Sequence, residues 1–387
     1  MRRIGTDERR ARLAVRHHLA LPAVDPIQAV RGVVALHATD PASVFISVHA
    51  RTAPVDVAAI EHALYDERSL IRMLGMRRTM FVVPVELAAV VQAACTKDIA
   101  ARQRRIYTKL LTERGLGDGA WLREVGDATE KALAARGEAT GAQLSADEPR
   151  LRTQLLVAEG KAYASKQNIT TWVLFMLAAE GRIVRGRPRG SWTSSQYHWS
   201  PAQTWLPGGM PELPVEDSRV ELVRRWLESF GPGTVADLKW WTGWTAGQVK
   251  HALASIGPVE VDLDGQTGLV LPDDLEPTNS PEHWVALLPA LDPTAMGWTE
   301  RSWYLGRHGP ALFDRSGNIG PTVWADGRIV GGWAQRPTGE VAYRLLEDVG
   351  RDVTAEIESS ATRLAEWIGS VRVTPRFRTP LERELSA

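Results

Sequence analysis

Two octets, GEATGAQL (Gly137–Leu144) and GPGTVADL (Gly231–Leu238), agree at glycine, threonine, alanine and leucine, and each follows an amphipathic segment. An internal repeat dictates architecture before any single element does, because each copy must bury its apolar face against a neighbour. Before the second octet, Val220, Val223, Trp226, Leu227 and Phe230 recur at helical spacing; before the first, Trp121, Val125, Ala128 and Leu133 do the same. After Leu238 a tight TGW turn leads to TAGQVKHALASIG. There Thr245 suits an N-cap, Val249, Leu253 and Ile256 share one face, and Gly257 suits the end. VEVDLDGQTGLVL then alternates about an Asp-Gly pair, the signal of a β-hairpin. Helix, short helix, turn, helix and hairpin is the order of a winged helix-turn-helix.

The first octet continues in that order at greater length. TTWVLFMLAAEG reads as a helix opened by Asn168 and closed by Gly181, and RIVRGRPRGSWTSSQYHW as its hairpin. A looser copy lies at the N-terminus. Asp25-Pro26 opens a helix through IQAVRGVVALHA, Pro54 opens VDVAAIEHALYD, and MRRTMFVVP reads as a strand. Beyond Trp284 the pattern turns β-rich, with Gly and Pro turns and a last helix in TAEIESSATRLAEWIG. The expected fold class is α+β, with three tandem winged helix-turn-helix modules and a β-rich C-terminal module. The expected domains are 1–112, 113–205 with a basic wing, 206–283 with an acidic wing, and 284–387 with the final helix. At 387 residues, 44% hydrophobic and 24% charged, the chain is large enough for several packed modules and ordinary for soluble protein. A lone Cys95 excludes a disulfide framework, and no apolar run approaches a membrane span. The expected setting is the cytoplasm, nucleoid-associated when bound to DNA, without a membrane.

Zero net charge conceals a division. Residues 1–200 carry 29 Lys and Arg against 20 Asp and Glu, and the remaining 187 carry 17 against 26. A basic half can face a polyanion. In the second module's wing Arg182, Arg185, Arg187 and Arg189 stand with no acid between them. Ser191, Thr193, Ser194, Ser195, Gln196 and Tyr197 follow as donors, with Trp192 and Trp199 as stacking planes. Lys166 and Gln167, and Arg77 and Arg78 facing opposite ways on a strand, complete the expected DNA-binding set. A solvated basic hairpin is the plainer reading of the same residues. The third module's wing holds seven acids and no Lys or Arg between Pro258 and His283, which points to a scaffold role.

No phosphate-binding loop, nucleophile elbow or zinc-ligand cluster is present, so no cofactor or metal is expected. The suggestive segment is VVALHATDP. His37, Thr39 and Asp40 fall together where an apolar helix would end ahead of Pro41, and could position one water. A cap and a turn residue explain them equally well.

The chain resembles the bacterial winged-helix DNA glycosylases of the AlkZ and YcaQ type. LHATDPAS, LGMRRTMFVVP, GRPRGSWTSSQY, LLPALDP, GPTVWADGRIVGGW and RFRTPLEREL carry the resemblance, in the family's order along nearly the whole chain. It implies a monofunctional DNA glycosylase acting on bulky alkylated or interstrand-crosslinked purine nucleotides in duplex DNA, and three modules in one chain suggest a monomer wrapping a single lesion. The family's catalytic pattern, Gln, an apolar residue, then Gln or Asp, falls here on His37, Ala38 and Thr39. Both polar positions depart from it. His37 would be a base titrating near neutral pH, Thr39 its hydrogen-bonding partner, and Asp40 stands one residue late for the missing carboxylate. The alternative is a non-catalytic DNA-binding protein of the same fold, either a transcriptional regulator or a DNA-damage binder.

Overall fold

The structure, a computed structural model, describes residues 1–157 and 165–387. It is a mixed α+β fold in which one local plan occurs three times. The plan is clearest in the third occurrence. Helix Val215–Phe230 leads through Gly233 into helix Val235–Thr242, helix Ala246–Ile256 and a hairpin of Val259–Leu263 with Gln266–Val270. Thr245 caps the third helix through the Gln248 N–H, and Gly257 ends it in the left-handed region. In the second occurrence helices Gly119–Arg136, Gly141–Asp147 and Thr170–Ala179 precede the hairpin Ile183–Pro188 with Tyr197–Pro201. A second hairpin, Gln154–Val157 with Ser165–Asn168, is inserted before the last of those helices.

The repeated octet has a defined structural job in both. Its threonine is the N-cap of the second helix, Thr140 over Gln143 and Thr234 over Asp237, each in a reciprocal capping box. Its last leucine, Leu144 or Leu238, is fully buried. The residue before the threonine forms a two-hydrogen-bond bridge to the far hairpin strand, Ala139 to Trp199 and Gly233 to Leu269.

The first occurrence repeats this plan with little shared sequence. Helix Pro26–Arg31, strand Leu36–His37, helix Pro41–His49 and helix Val57–Glu61, extended by a wider turn to Asp66, precede strands Leu70–Leu74 and Met80–Pro84. Two expectations are corrected here. The first helix does not run to Ala38; it stops at Arg31, Gly32 follows, and Val34 takes a positive φ of 63° that turns the chain into the strand. The strand of MRRTMFVVP begins only at Met80, because Arg77 and Arg78 both have positive φ in a tight turn at Met76–Arg78. In the second occurrence Asn168 ends a strand, and the helix opens at Thr170 with no side-chain cap.

The C-terminal part is a four-stranded antiparallel meander of Val285–Leu288, Thr322–Ala325, Arg328–Gln335 and Val341–Leu345. Helix Arg351–Ile368 covers it through buried Ile357, Ala361, Leu364 and Ile368. One apolar core runs through the first and third occurrences and this meander, whereas the second has its own around Leu122, Val125, Leu133, Trp172 and Val173. The acidic hairpin is met by the N-terminus: Arg2–Arg3 adds a parallel strand to it, Arg3 pairs with Asp264, and Arg12 and Arg16 pair with Asp274.

A buried polar network fastens the first occurrence to the meander. Ser43, Ser47 and Arg51, four residues apart, face Ala290, Asp292 and Thr294. Arg51 is fully buried and forms a two-pronged pair with Asp292 at 2.6 and 2.8 Å, while the Ser47 hydroxyl donates to the same carboxylate at 2.6 Å. Burial opposes ionisation of Asp292, yet Arg51, Ser47 and the Thr294 N–H hold its carboxyl below the usual range. Removing one partner of such a pair strands a charge in the core. Asp292→Ala is therefore expected to lower unfolding stability by about 3–5 kcal/mol in urea denaturation. The double replacement Arg51→Met with Asp292→Leu is expected to cost clearly less.

Candidate active site and nucleic-acid interface

Strand Leu36–His37 is an edge strand of the first sheet, paired antiparallel with Met80–Pro84 at Leu36–Val82 and His37–Phe81. The Ala38 N–H continues the ladder to the Met80 carbonyl at 2.8 Å. Pairing stops there because Asp40 takes the N-cap of helix Pro41–His49. HATDPASV (His37–Val44) is thus the first occurrence's counterpart of the repeated octet, with Asp40 where Thr140 and Thr234 cap. That explains Asp40 structurally. Its Oδ1 accepts from the Ala42 N–H at 3.2 Å and its Oδ2 from the Arg376 N–H at 3.2 Å. Burial raises its pKa, opposed by those two hydrogen bonds.

His37 and Thr39 are both half-buried. The His37 ring packs edge-on against Phe81, with centroids 5.5 Å apart, and its Nδ1 is buried without a hydrogen-bond partner. Burial, and then the nearby Arg77 cation, push its pKa down to about 3. This corrects the expectation of a base titrating near neutral pH: the imidazole is neutral throughout the physiological range. Arg77 lies over the Trp240 ring at 4.2 Å, and Arg301 lies over the same ring at 4.7 Å. Burial and then Arg301 lower the Arg77 pKa to about 10. Arg78 turns instead toward Phe175, 5.2 Å from its ring centroid. Behind the motif the buried Arg72 donates to the Ala38 carbonyl at 2.9 Å and lies 4.9 Å from the Tyr197 ring. Arg72 therefore holds the peptide between His37 and Thr39 from within the fold.

The basic hairpin differs from its sequence reading. Arg182 pairs with Asp127 and Glu130. Arg187 pairs with Glu61 at 2.8 Å and Asp66 at 2.9 Å and lies over Tyr65. Arg185 lies 5.2 Å from Trp199 and 5.7 Å from Tyr197, its pKa lowered to about 10 by burial and then by Arg72. Arg189 is exposed. The neutralising acids come from elements distant in sequence, which is why an acid-free stretch misleads. Trp192 and Trp199 are buried rather than available as stacking planes; Trp192 packs 5.0 Å from Phe45 and 5.9 Å from Trp367. The Tyr197 hydroxyl is buried without a partner. Ser191 and Ser194 accept from the N–H groups of Thr193 and Gln196, tightening the tip, where Ser191, Ser195 and Gln196 are exposed. Lys166 and Gln167 are exposed on the inserted hairpin. Among the described residues no group of three or more His, Cys, Asp or Glu could hold a metal, and no helix is long and apolar enough to cross a membrane.

Residues 30–367 match the family model described as DNA glycosylase AlkZ-like. A curated relative, the interstrand DNA cross-link repair glycosylase of Streptomyces sahachiroi, is 26% identical over 272 residues, 66% of this chain and 69% of the relative. The solved structure of the Streptomyces sahachiroi DNA glycosylase AlkZ aligns with a TM-score of 0.73 at 19% identity. That alignment covers 96% of this chain and 99% of the other, a shared fold.

The burial of Trp192 has a direct consequence. Trp192→Ala is expected to lower stability by about 3–5 kcal/mol in chemical denaturation, as for a large side chain removed from a core. A ring standing free on the hairpin would change it by about 0.5 kcal/mol or less.

Proposed function

Because the chain belongs to the AlkZ-like DNA glycosylase family, we propose that it hydrolyses the N-glycosidic bond of bulky alkylated or interstrand-crosslinked purine nucleotides in duplex DNA, acting as a monomer. The three occurrences of helices with a hairpin are read as winged-helix modules at 1–112, 113–205 and 206–283, with 284–387 as the β-rich module that braces them. The reading places the protein in the cytoplasm, on the nucleoid when bound. What carries it is the edge-strand segment His37–Thr39: the family's motif position, on an open sheet edge, with both polar side chains half-buried rather than sealed in the core.

The chemistry follows from the charge state of that imidazole. An N7-alkylated purine already carries positive charge, so the C1′–N9 bond can break heterolytically and leave a neutral base and a cationic sugar. Water then forms the C1′–O bond and releases one proton. A neutral His37 accepts a hydrogen bond from that water, and Thr39 fixes its second direction. Water bonding to a cationic carbon is far more acidic than bulk water, so a weak acceptor suffices for the proton. Arg72 acts as a positioning residue, fixing the Ala38 carbonyl. Asp40 serves as the cap that ends the strand. Arg189, Ser195, Gln196 and Lys166 face the duplex.

Single-turnover excision with excess protein, on duplexes carrying a bulky N7-alkylguanine or a crosslink, tests this reading. His37→Ala is expected to slow excision by about 100-fold or more while duplex affinity stays within a few-fold. Salt-dependent binding to every lesion duplex without any excision would favour the non-catalytic DNA binder. Equal loss of affinity and excision in His37→Ala would make His37 a binding residue.

A further inference from the structure

The hairpin expected to clamp DNA commits three of its four arginines to protein partners, so the phosphate-binding charge must lie elsewhere as well. The C-terminal half, acidic by count, holds an arginine group that the count conceals. Arg315, Arg376 and Arg383 line a surface concavity of about 710 Å³ between the loop after Phe313 and the segment Arg376–Arg383. All three are exposed or half-exposed, and none makes an ion pair among the described residues. The acids nearby are already engaged. Asp314 accepts from the N–H groups of Ser316 and Asn318 and from the Asn318 amide at 2.8–2.9 Å. Glu382 is buried against Arg378 at 2.7 and 2.9 Å. Glu384 pairs with Arg344 at 2.6 Å. Three arginines without an ion pair among the described residues therefore face one concavity, whose lining carboxylate is Asp314 alone.

Their position ties them to the candidate active site. The Arg376 N–H donates to Asp40, the residue that ends the His37–Thr39 strand, and the Arg376 charge acts on both Asp40 and Arg185. Through Arg376 the concavity thus adjoins the residue that ends the motif strand. We propose that Arg315, Arg376 and Arg383 form a phosphodiester-binding surface that takes the DNA backbone flanking the lesion, so that the C-terminal module grips DNA as well as bracing the winged helices. This rests on the DNA-glycosylase reading above. The ligand is the sugar-phosphate backbone and not a base: accessible, unpaired guanidinium groups supply charge and donors, which suits sequence-independent contact.

The test is equilibrium binding of the full-length protein to an undamaged duplex across a salt series. Neutralising Arg315, Arg376 and Arg383 together, each to Gln, is expected to weaken binding about tenfold or more at moderate salt. It should also reduce the slope of log K against log salt by about 2–3, near 0.9 for each phosphate that is no longer neutralised. The three single Gln variants should each lose about one unit of slope or less, and the triple Lys variant should restore most of it. An unchanged slope and affinity in a folded triple Gln variant would overturn the proposal. Absence of salt-dependent binding by the wild type would instead overturn the DNA reading on which it rests.

Discussion

The pair of Arg51 and Asp292 organises the site from a distance. A fully buried guanidinium is tolerated where its charge is paired and most of its donors are met. Here the carboxylate, the Thr294 hydroxyl and the Ser47 carbonyl meet those of both terminal nitrogens, leaving only Nε without a partner. The network extends further: the Thr294 hydroxyl lies 2.9 Å from His17 Nδ1, and His17 Nε2 lies 3.1 Å from the Ser229 carbonyl. Burial, and then Arg51, push the His17 pKa down to about 3, so that its ring is a neutral link with Nε2–H donating and Nδ1 accepting. One chain of hydrogen bonds thereby joins the N-terminal helix, helix Pro41–His49, helix Val215–Phe230 and the loop after the meander's first strand. Helix Pro41–His49 runs from Asp40 at the end of the motif strand to this network. Fixing one end of a buried helix fixes the other, and with it the edge strand that carries His37 and Thr39.

Local chemistry made much of this fold legible. Thr245 capping, Gly257 stopping and the Asp-Gly hairpin each follow from a residue's own backbone preference, and each lies where the sequence puts it. The repeated octet marked a helix cap in two occurrences because capping needs only a side-chain oxygen at one position. The same tolerance hid the third: Asp40 does the work of Thr140 and Thr234, so identity fell while geometry persisted. The helix through Arg31 departs from its sequence pattern for a related reason: the apolar period continues past Gly32 although the helix does not.

What eluded the sequence was the environment of charges. Arg182 and Arg187 find Asp127, Glu130, Glu61 and Asp66 only once the second occurrence docks on the first and its own helices close. Arg315, Arg376 and Arg383 run the other way, without an ion pair among the described residues although they lie in an acidic half. The His37 nitrogen likewise departs from its solution behaviour only because Phe81 and Arg77 surround it. Electrostatic character belongs to packed neighbours, and no spacing rule reports them.

The proposed chemistry rests on a neutral, half-buried imidazole at the strand edge that holds the hydrolytic water. Its folded pKa of about 3 lies below the ordinary value of 6.5, so the neutral form is lost only as pH falls toward 3. The most direct measurement is the pH dependence of the single-turnover excision rate on a bulky N7-alkylguanine duplex, corrected for spontaneous depurination. The account predicts no His37-dependent loss of rate between about pH 5 and 8, the range over which an ordinary histidine would titrate. A rate that falls on acidification through a midpoint near 6.5, the ordinary histidine value, and loses that limb in His37→Gln, would contradict it.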